Sequence, residues 1–240
     1  MATHLDGVAI ITPDDEGYPH ERLRSGAALP VILWVRGDPS LMSSPSLGIS
    51  GSRASSAAAI ELAAEIAMAA AREGVTVVTG GAAGVDSAAH RAAIDAGGTA
   101  VVVLAEGLGS SWFDPDDSVT VISEFPPGTP WMPRQAMQRN ETIAALSDAV
   151  VVVACDVTGG SWAQGRLCLK KGVPLLVPGL PVDMAPGNLA LLNERAGKAK
   201  DRIAVAFEPD DPEAPLRHLR AFRDAPESAL GPTEQMTLLG

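Results

Sequence analysis

Short apolar runs alternate with longer stretches of helical period along most of this chain. The pattern is cleanest between residues 46 and 107, where Leu47 to Ile49, Val75 to Val78 and Thr99 to Leu104 are compact runs bounded by glycine. Such runs read as buried strands. Arg53 to Glu73 carries Ala, Ile, Leu and Met at near-helical spacing and stops at Gly74, and Val85 to Ala96 does the same ahead of Gly97-Gly98; both predict helices. Strand, glycine turn and helix in that repeated order predict a parallel β-α-β-α-β unit. Further along, Val119 to Ile122, Ala149 to Ala154, Val173 to Val177 and an edge run Ile203 to Phe207 predict more strands. Helices are expected around Arg139-Asn140 as far as Ser147, from the Gly159-Gly160 turn to Lys171, and over 186–196. Ahead of the unit, 18–38 holds a short helical stretch and the apolar run Val31 to Val35, and 38–46 is a loop by composition. Four prolines exclude regular structure across Pro126 to Pro133. The boundaries this suggests are a lead-in over 1–45, an α/β domain over 46–207, and an acidic linker and tail over 208–240.

A parallel unit puts every strand-to-helix turn at one edge of the sheet. A ligand arriving there meets glycine backbone and the positive ends of helices, which suits an anion. In the first turn Gly51, Ser52 and Arg53 precede a helix opening near Ser55; Ser52 offers a hydroxyl and Arg53 a planar fork suited to phosphate. In the second, Gly80, Gly81 and Gly84 lead to Asp86, which is either a first-turn helix acid or a functional group. A third turn presents Gly160 and Ser161. His90, alone in its helix, reads as a packing residue.

Composition changes this picture modestly. The chain has 240 residues, enough for one domain with appendages, and 46% of them are hydrophobic but only 4% aromatic, so the core is aliphatic and alanine-rich. Cys155 and Cys168 have no companion at zinc spacing, which argues for a reduced, cytoplasmic setting without a metal. No signal-like amino terminus or membrane-length apolar run is present. The net charge of −11 weighs against nucleic-acid binding, yet the acids gather at Asp14 to Glu16, Asp114 to Asp117 and Glu208 to Glu213 while arginines accompany the glycine turns. A local positive pocket on an acidic body remains open, with modest affinity and a short footprint. The run at 208–213 is expected to compete with an anionic ligand.

The strings GSRASS, VVTGGAAGVDSAAHRAA with its trailing AGG, SEFPPGTP and RNETIAALSDAVVVV resemble the DprA (Smf) family of DNA-processing proteins. The likeness covers roughly residues 18 to 180 in the family's order. It implies an extended Rossmann-like fold, a mostly parallel sheet with helices on both faces, that binds single-stranded DNA without enzymatic chemistry or cofactor. It further implies a homodimer that helps load the recombinase RecA in DNA recombination and natural transformation. Arg139 and Asn140 inherit a ligand-facing position from it, and the proline-rich loop adds Trp131, Met132 and Arg134. Aromatic plus arginine is a combination that stacks bases and holds backbone, whereas Trp131 is equally readable as a plug closing the loop.

The chain departs from the family at several positions. Ala83 and Glu141 stand where arginines are common, an absence predicted to weaken affinity and flatten its salt slope by roughly two units. Trp162 replaces an aliphatic residue after the third turn and is either stacking platform or core. Trp112-Phe113-Asp114-Pro115 replaces a tyrosine-proline pair, and neither the family's leading helical domain nor its winged-helix module is expected. Near the end, Gln235-Met236-Thr237-Leu238-Leu239 resembles peptides that dock on the bacterial sliding clamp. Two other functions stay open: a sensor of a nucleotide-like small molecule on the same turns, and a nucleoside-monophosphate hydrolase. The hydrolase reading lacks the catalytic glutamate expected after Gly159-Gly160, where the helix reads SWAQGRLCLKKG.

Overall fold

The computed structural model describes residues 7–24, 27–109, 118–179, 185–194 and 204–224. Among these, a nine-stranded sheet has β1 (Ala9–Ile11), β2 (Leu33–Arg36), β3 (Ser46–Ser50), β4 (Thr76–Thr79), β5 (Ala100–Leu104), β6 (Val119–Ser123), β7 (Ala149–Val152), β8 (Leu175–Pro178) and β9 (Val205–Phe207). Their spatial order is β1-β2-β6-β5-β4-β3-β7-β8-β9. From β6 to β9 every neighbouring pair is parallel; the β1–β2 and β2–β6 pairs are antiparallel, so β2 runs against the other described strands. The chain winds outward from β3 through β4 and β5 to β6, then returns to the other side of β3 for β7. That reversal opens a crevice at the carboxyl ends of β3 and β7, where ligands of open α/β sheets bind.

Six α-helices among the described residues cover the two faces: α1 (Ala57–Arg72), α2 (Val85–Asp95), α3 (Pro133–Leu146), α4 (Gly160–Lys171), α5 (Pro186–Asn193) and α6 (Ala214–Asp224). Side chains alternate across a strand, so β7 sends Ala149 and Val151 to one core and Val150 and Val152 to the other. The first core joins α1, α2 and α6. The second joins α3, α4 and α5 with the segment carrying Tyr18, Leu29 and Met42. Buried alanines at 59, 63, 67 and 70 let α1 lie close on the sheet and on α2. No helix among the described residues is long and apolar enough to cross a membrane.

Several boundaries differ from the sequence reading. Helix α1 begins at Ala57 rather than Arg53, because the Ser55 hydroxyl closes a turn on the Ser52 carbonyl (2.8 Å) and Ser56 caps the helix by accepting from the Ala59 N–H (3.3 Å). Helix α3 starts earlier than expected, at Pro133, since proline is tolerated in the first turn where its missing N–H has no partner to lose. Residues 39–42 and 20–24 form 3₁₀ turns. Past the acidic run, α6 lies on α1, with Arg220 paired to Glu73. The Trp112 to Pro115 loop and the Gln235 to Leu239 peptide lie outside the described residues.

Candidate functional site

The crevice at the carboxyl edge is a cleft of 380 Å³ lined by Ser50 to Arg53 after β3, Ala82 and Asp86 at the start of α2, Trp131, Met137, Arg139 and Asn140 around α3, and Cys155, Asp156 and Thr158 to Ser161 between β7 and α4. The three glycine turns predicted to converge do converge. They do not contribute equally.

In the first turn the Ser52 N–H donates to the Ala154 carbonyl (2.8 Å), tying the loop to the end of the β7 segment. The Ser52 hydroxyl accepts from the Ala54 N–H (3.2 Å), and Arg53 stands exposed at the rim with its guanidinium 5.3 Å from the centroid of the Trp131 ring. The second turn shapes the cleft from beneath. A Cβ at Gly80 would overlap the Arg139 guanidinium, so glycine there makes room for the arginine. Gly84 takes φ +84°, a region other residues rarely adopt, against the carbonyls of Ser52 and Arg53. Gly80, Gly81 and Gly84 therefore support the cleft, which Ala82 and Asp86 line.

Asp86 sits in the first turn of α2 and also lines the cleft. Its carboxylate accepts from the N–H groups of Gly80 (3.1 Å) and Ala82 (3.4 Å), folding the turn back on the helix start. Burial raises its pKa, against the pull of Arg139 and the backbone N–H groups. Arg139 is 7% exposed and makes no side-chain hydrogen bond among the described residues; its Nε is buried without a partner. Burial lowers its pKa, opposed by Asp86, Glu106 and Glu124. A guanidinium held this deep, with donors left over and a cleft in front of it, has the chemistry to receive an anion.

The third turn ends at Gly159, which opens α4 without a side-chain cap, so the first N–H groups of α4 stand at the cleft. Asn140 acts on this turn: its Nδ2 donates to the Gly160 carbonyl (3.1 Å), while Gln164 Nε2 donates to the Asn140 carbonyl (3.2 Å). Ser161 lines the opening beside them.

Some expectations land elsewhere. Arg134 is exposed on the first turn of α3, outside the cleft lining. Glu141 faces away, paired with Lys171 and accepting from the Ala28 N–H (3.3 Å), and Ala83 is exposed off the lining as well. Trp162 packs on the core beneath Arg166, whose guanidinium is 5.9 Å from its ring. His90 is buried, its Nδ1 3.5 Å from the Thr79 hydroxyl. Both cysteine thiols are pushed by burial to about 12. Sequence reasoning missed Asn188, fully buried, which donates to the Val153 carbonyl (2.9 Å) and accepts from the Cys155 N–H (3.0 Å). It also missed Glu124, whose raised pKa comes first from burial and whose carboxylate accepts from Gln138 (2.6 Å) and Thr142 (3.1 Å).

Comparison with known proteins follows the same lines. A family model described as DNA recombination-mediator protein A matches residues 9–206. The putative DNA processing protein DprA of Mycobacterium tuberculosis is 32% identical over 193 residues, 70% of this chain and 50% of that protein. This chain thus spans about half the length of that relative. The solved structure of DNA processing protein A from Streptococcus pneumoniae is 25% identical, with a TM-score of 0.70 over 80% of this chain and 70% of that one. That of DNA processing protein A from Helicobacter pylori, determined for its single-stranded DNA binding mode, shares the fold at 22% identity and a TM-score of 0.70, over 90% of this chain and 99% of that one.

Proposed function

The chain belongs to the DNA recombination-mediator protein A family, and from that premise we propose that it binds single-stranded DNA in the carboxyl-edge cleft and acts in DNA processing and recombination. The observation that carries the reading is Arg139, a buried guanidinium with no side-chain hydrogen bond among the described residues, in a cleft walled by glycine turns. Arg53 and Arg139 hold phosphate oxygens. Gly51, Ser52, Gly160 and Ser161 add backbone and hydroxyl donors, while Gly80, Gly81, Gly84, Asp86 and Asn140 hold the turns in place. Arg134 extends the basic surface along α3.

Binding is the role proposed here. Among the described residues lining the cleft no serine or cysteine has a histidine beside it to act as base, and the Cys155 thiol is far from ionised at neutral pH. Loading of RecA onto single-stranded DNA, in the cytoplasm and as a homodimer, is the family role that this cleft would serve.

Fluorescence anisotropy of labelled oligo-dT from about 3 to about 30 nucleotides, at low and physiological salt, tests this. Affinity is expected to climb with length, weaken with salt and collapse in Arg53→Glu, an exposed position whose substitution leaves the core intact. Affinity that saturates at one or two nucleotides would replace the DNA reading with a nucleotide sensor, and no binding at any length would reject both.

A further inference from the structure

Trp131 is the aromatic side chain in the cleft lining among the described residues, and the residue is 45% exposed. Single exposed apolar groups are ordinary on protein surfaces. This one differs in how it is held. The preceding loop is closed by the Thr129 N–H on the Pro126 carbonyl (3.1 Å) and tied to the sheet edge by the Gly107 N–H on the Thr129 carbonyl (2.9 Å). Helix α3 begins two residues later. The indole is therefore presented from a braced position and does not plug the loop into the core. Exposed Met132 and Met137 extend its apolar surface, and Arg53 lies against its ring.

We propose that Trp131 is the platform on which a nucleobase stacks, with Arg53 beside it at the adjoining phosphate. The inference rests on the single-stranded DNA reading and adds to it the unit that the cleft recognises. At 380 Å³ the cleft is near the lower limit of small-ligand sites, the scale of one nucleotide and not of a strand laid along it. The base meets a π-face, which tolerates any base, while the phosphate meets cations and N–H groups. The strand on either side runs over the rim.

The test compares oligo-dT of about 15 nucleotides with the same backbone lacking bases, on the full chain and on Trp131→Ala and Trp131→Phe. The wild type is expected to bind the base-bearing strand about tenfold more tightly, a difference within the range of a base–aromatic stack. Trp131→Ala loses that preference and keeps the affinity and salt slope of the abasic strand, whereas Trp131→Phe retains most of it. Two results overturn stacking while leaving the DNA reading in place: a wild type indifferent to bases, or a Trp131→Ala variant equally weakened on both strands. A wild type that binds neither strand overturns the DNA reading, and the platform with it.

Discussion

Arg139 and Asp86 bring opposite charges to the floor of the cleft without a close ion pair between them among the described residues, so each modulates the other through a low-dielectric gap. Asp86→Asn keeps an oxygen to accept from Gly80 and Ala82 but removes the charge that competes with a phosphate. The variant is expected to bind oligo-dT on the order of fivefold more tightly, about 1 kcal/mol, by anisotropy. The same substitution tests linkage. Burial raises the folded Asp86 pKa above its ordinary 3.8, so between the two values the folded state keeps a proton that the unfolded state releases. That contribution to stability is complete below the ordinary value and is lost as pH rises through the folded one. Chemical denaturation at several pH values should show this component in the wild type and not in Asp86→Asn. At this scale the sequence was legible in part. Arg53, Ser52 and the glycines reveal themselves by following apolar runs, but nothing in a linear pattern says that Arg139 is buried while Arg134, five residues earlier on the same helix, is exposed. Glu141 makes the same point. The family resemblance puts its missing positive charge in the pocket, whereas the structure pairs it with Lys171, so Glu141→Gln should leave DNA affinity within about twofold and cost under about 1 kcal/mol of stability.

The elements around the cleft are joined by side chains that cross between them. Asn188 at the start of α5 is the clearest, bridging the carbonyl of Val153 and the N–H of Cys155 at full burial. Its replacement by alanine strands both backbone groups away from water, and Asn188→Ala should lower stability by about 2–4 kcal/mol in a urea titration. Weaker oligonucleotide binding should accompany the loss, since Cys155 and Asp156 begin the loop to α4. Strands and glycine turns were readable from the sequence because parallel strands buried on both faces are nearly continuous apolar runs. Helix starts were less so. Ser56 and Pro133 are start signals that lie close to competing ones, the Ser52–Ser55 turn in one case and a proline cluster in the other. Helix α6 was hidden because an acidic, proline-broken segment reads as a linker until the apolar face of Leu216 and Leu219 is seen against α1.

For the whole molecule, the proposed binding has to reconcile a net charge of −11 with a cleft whose lining holds two arginines and two aspartates. If single-stranded DNA binds here, counterion release from so few cations predicts a shallow salt dependence, and repulsion between the acidic body and the polyanion would confine binding to the cleft mouth. The main competing location is α6, where Arg217 and Arg220 are already paired with Asp211 and Glu73 and Arg223 is exposed. Photo-crosslinking of 4-thiothymidine oligonucleotides to the full chain, with the modified peptides identified by mass spectrometry, decides between them. The account predicts adducts in the peptides that carry Gly51 to Arg53, Trp131 to Asn140 and Thr158 to Ser161, and their loss in Arg53→Glu. Adducts confined to α6, or unchanged by Arg53→Glu, would contradict it.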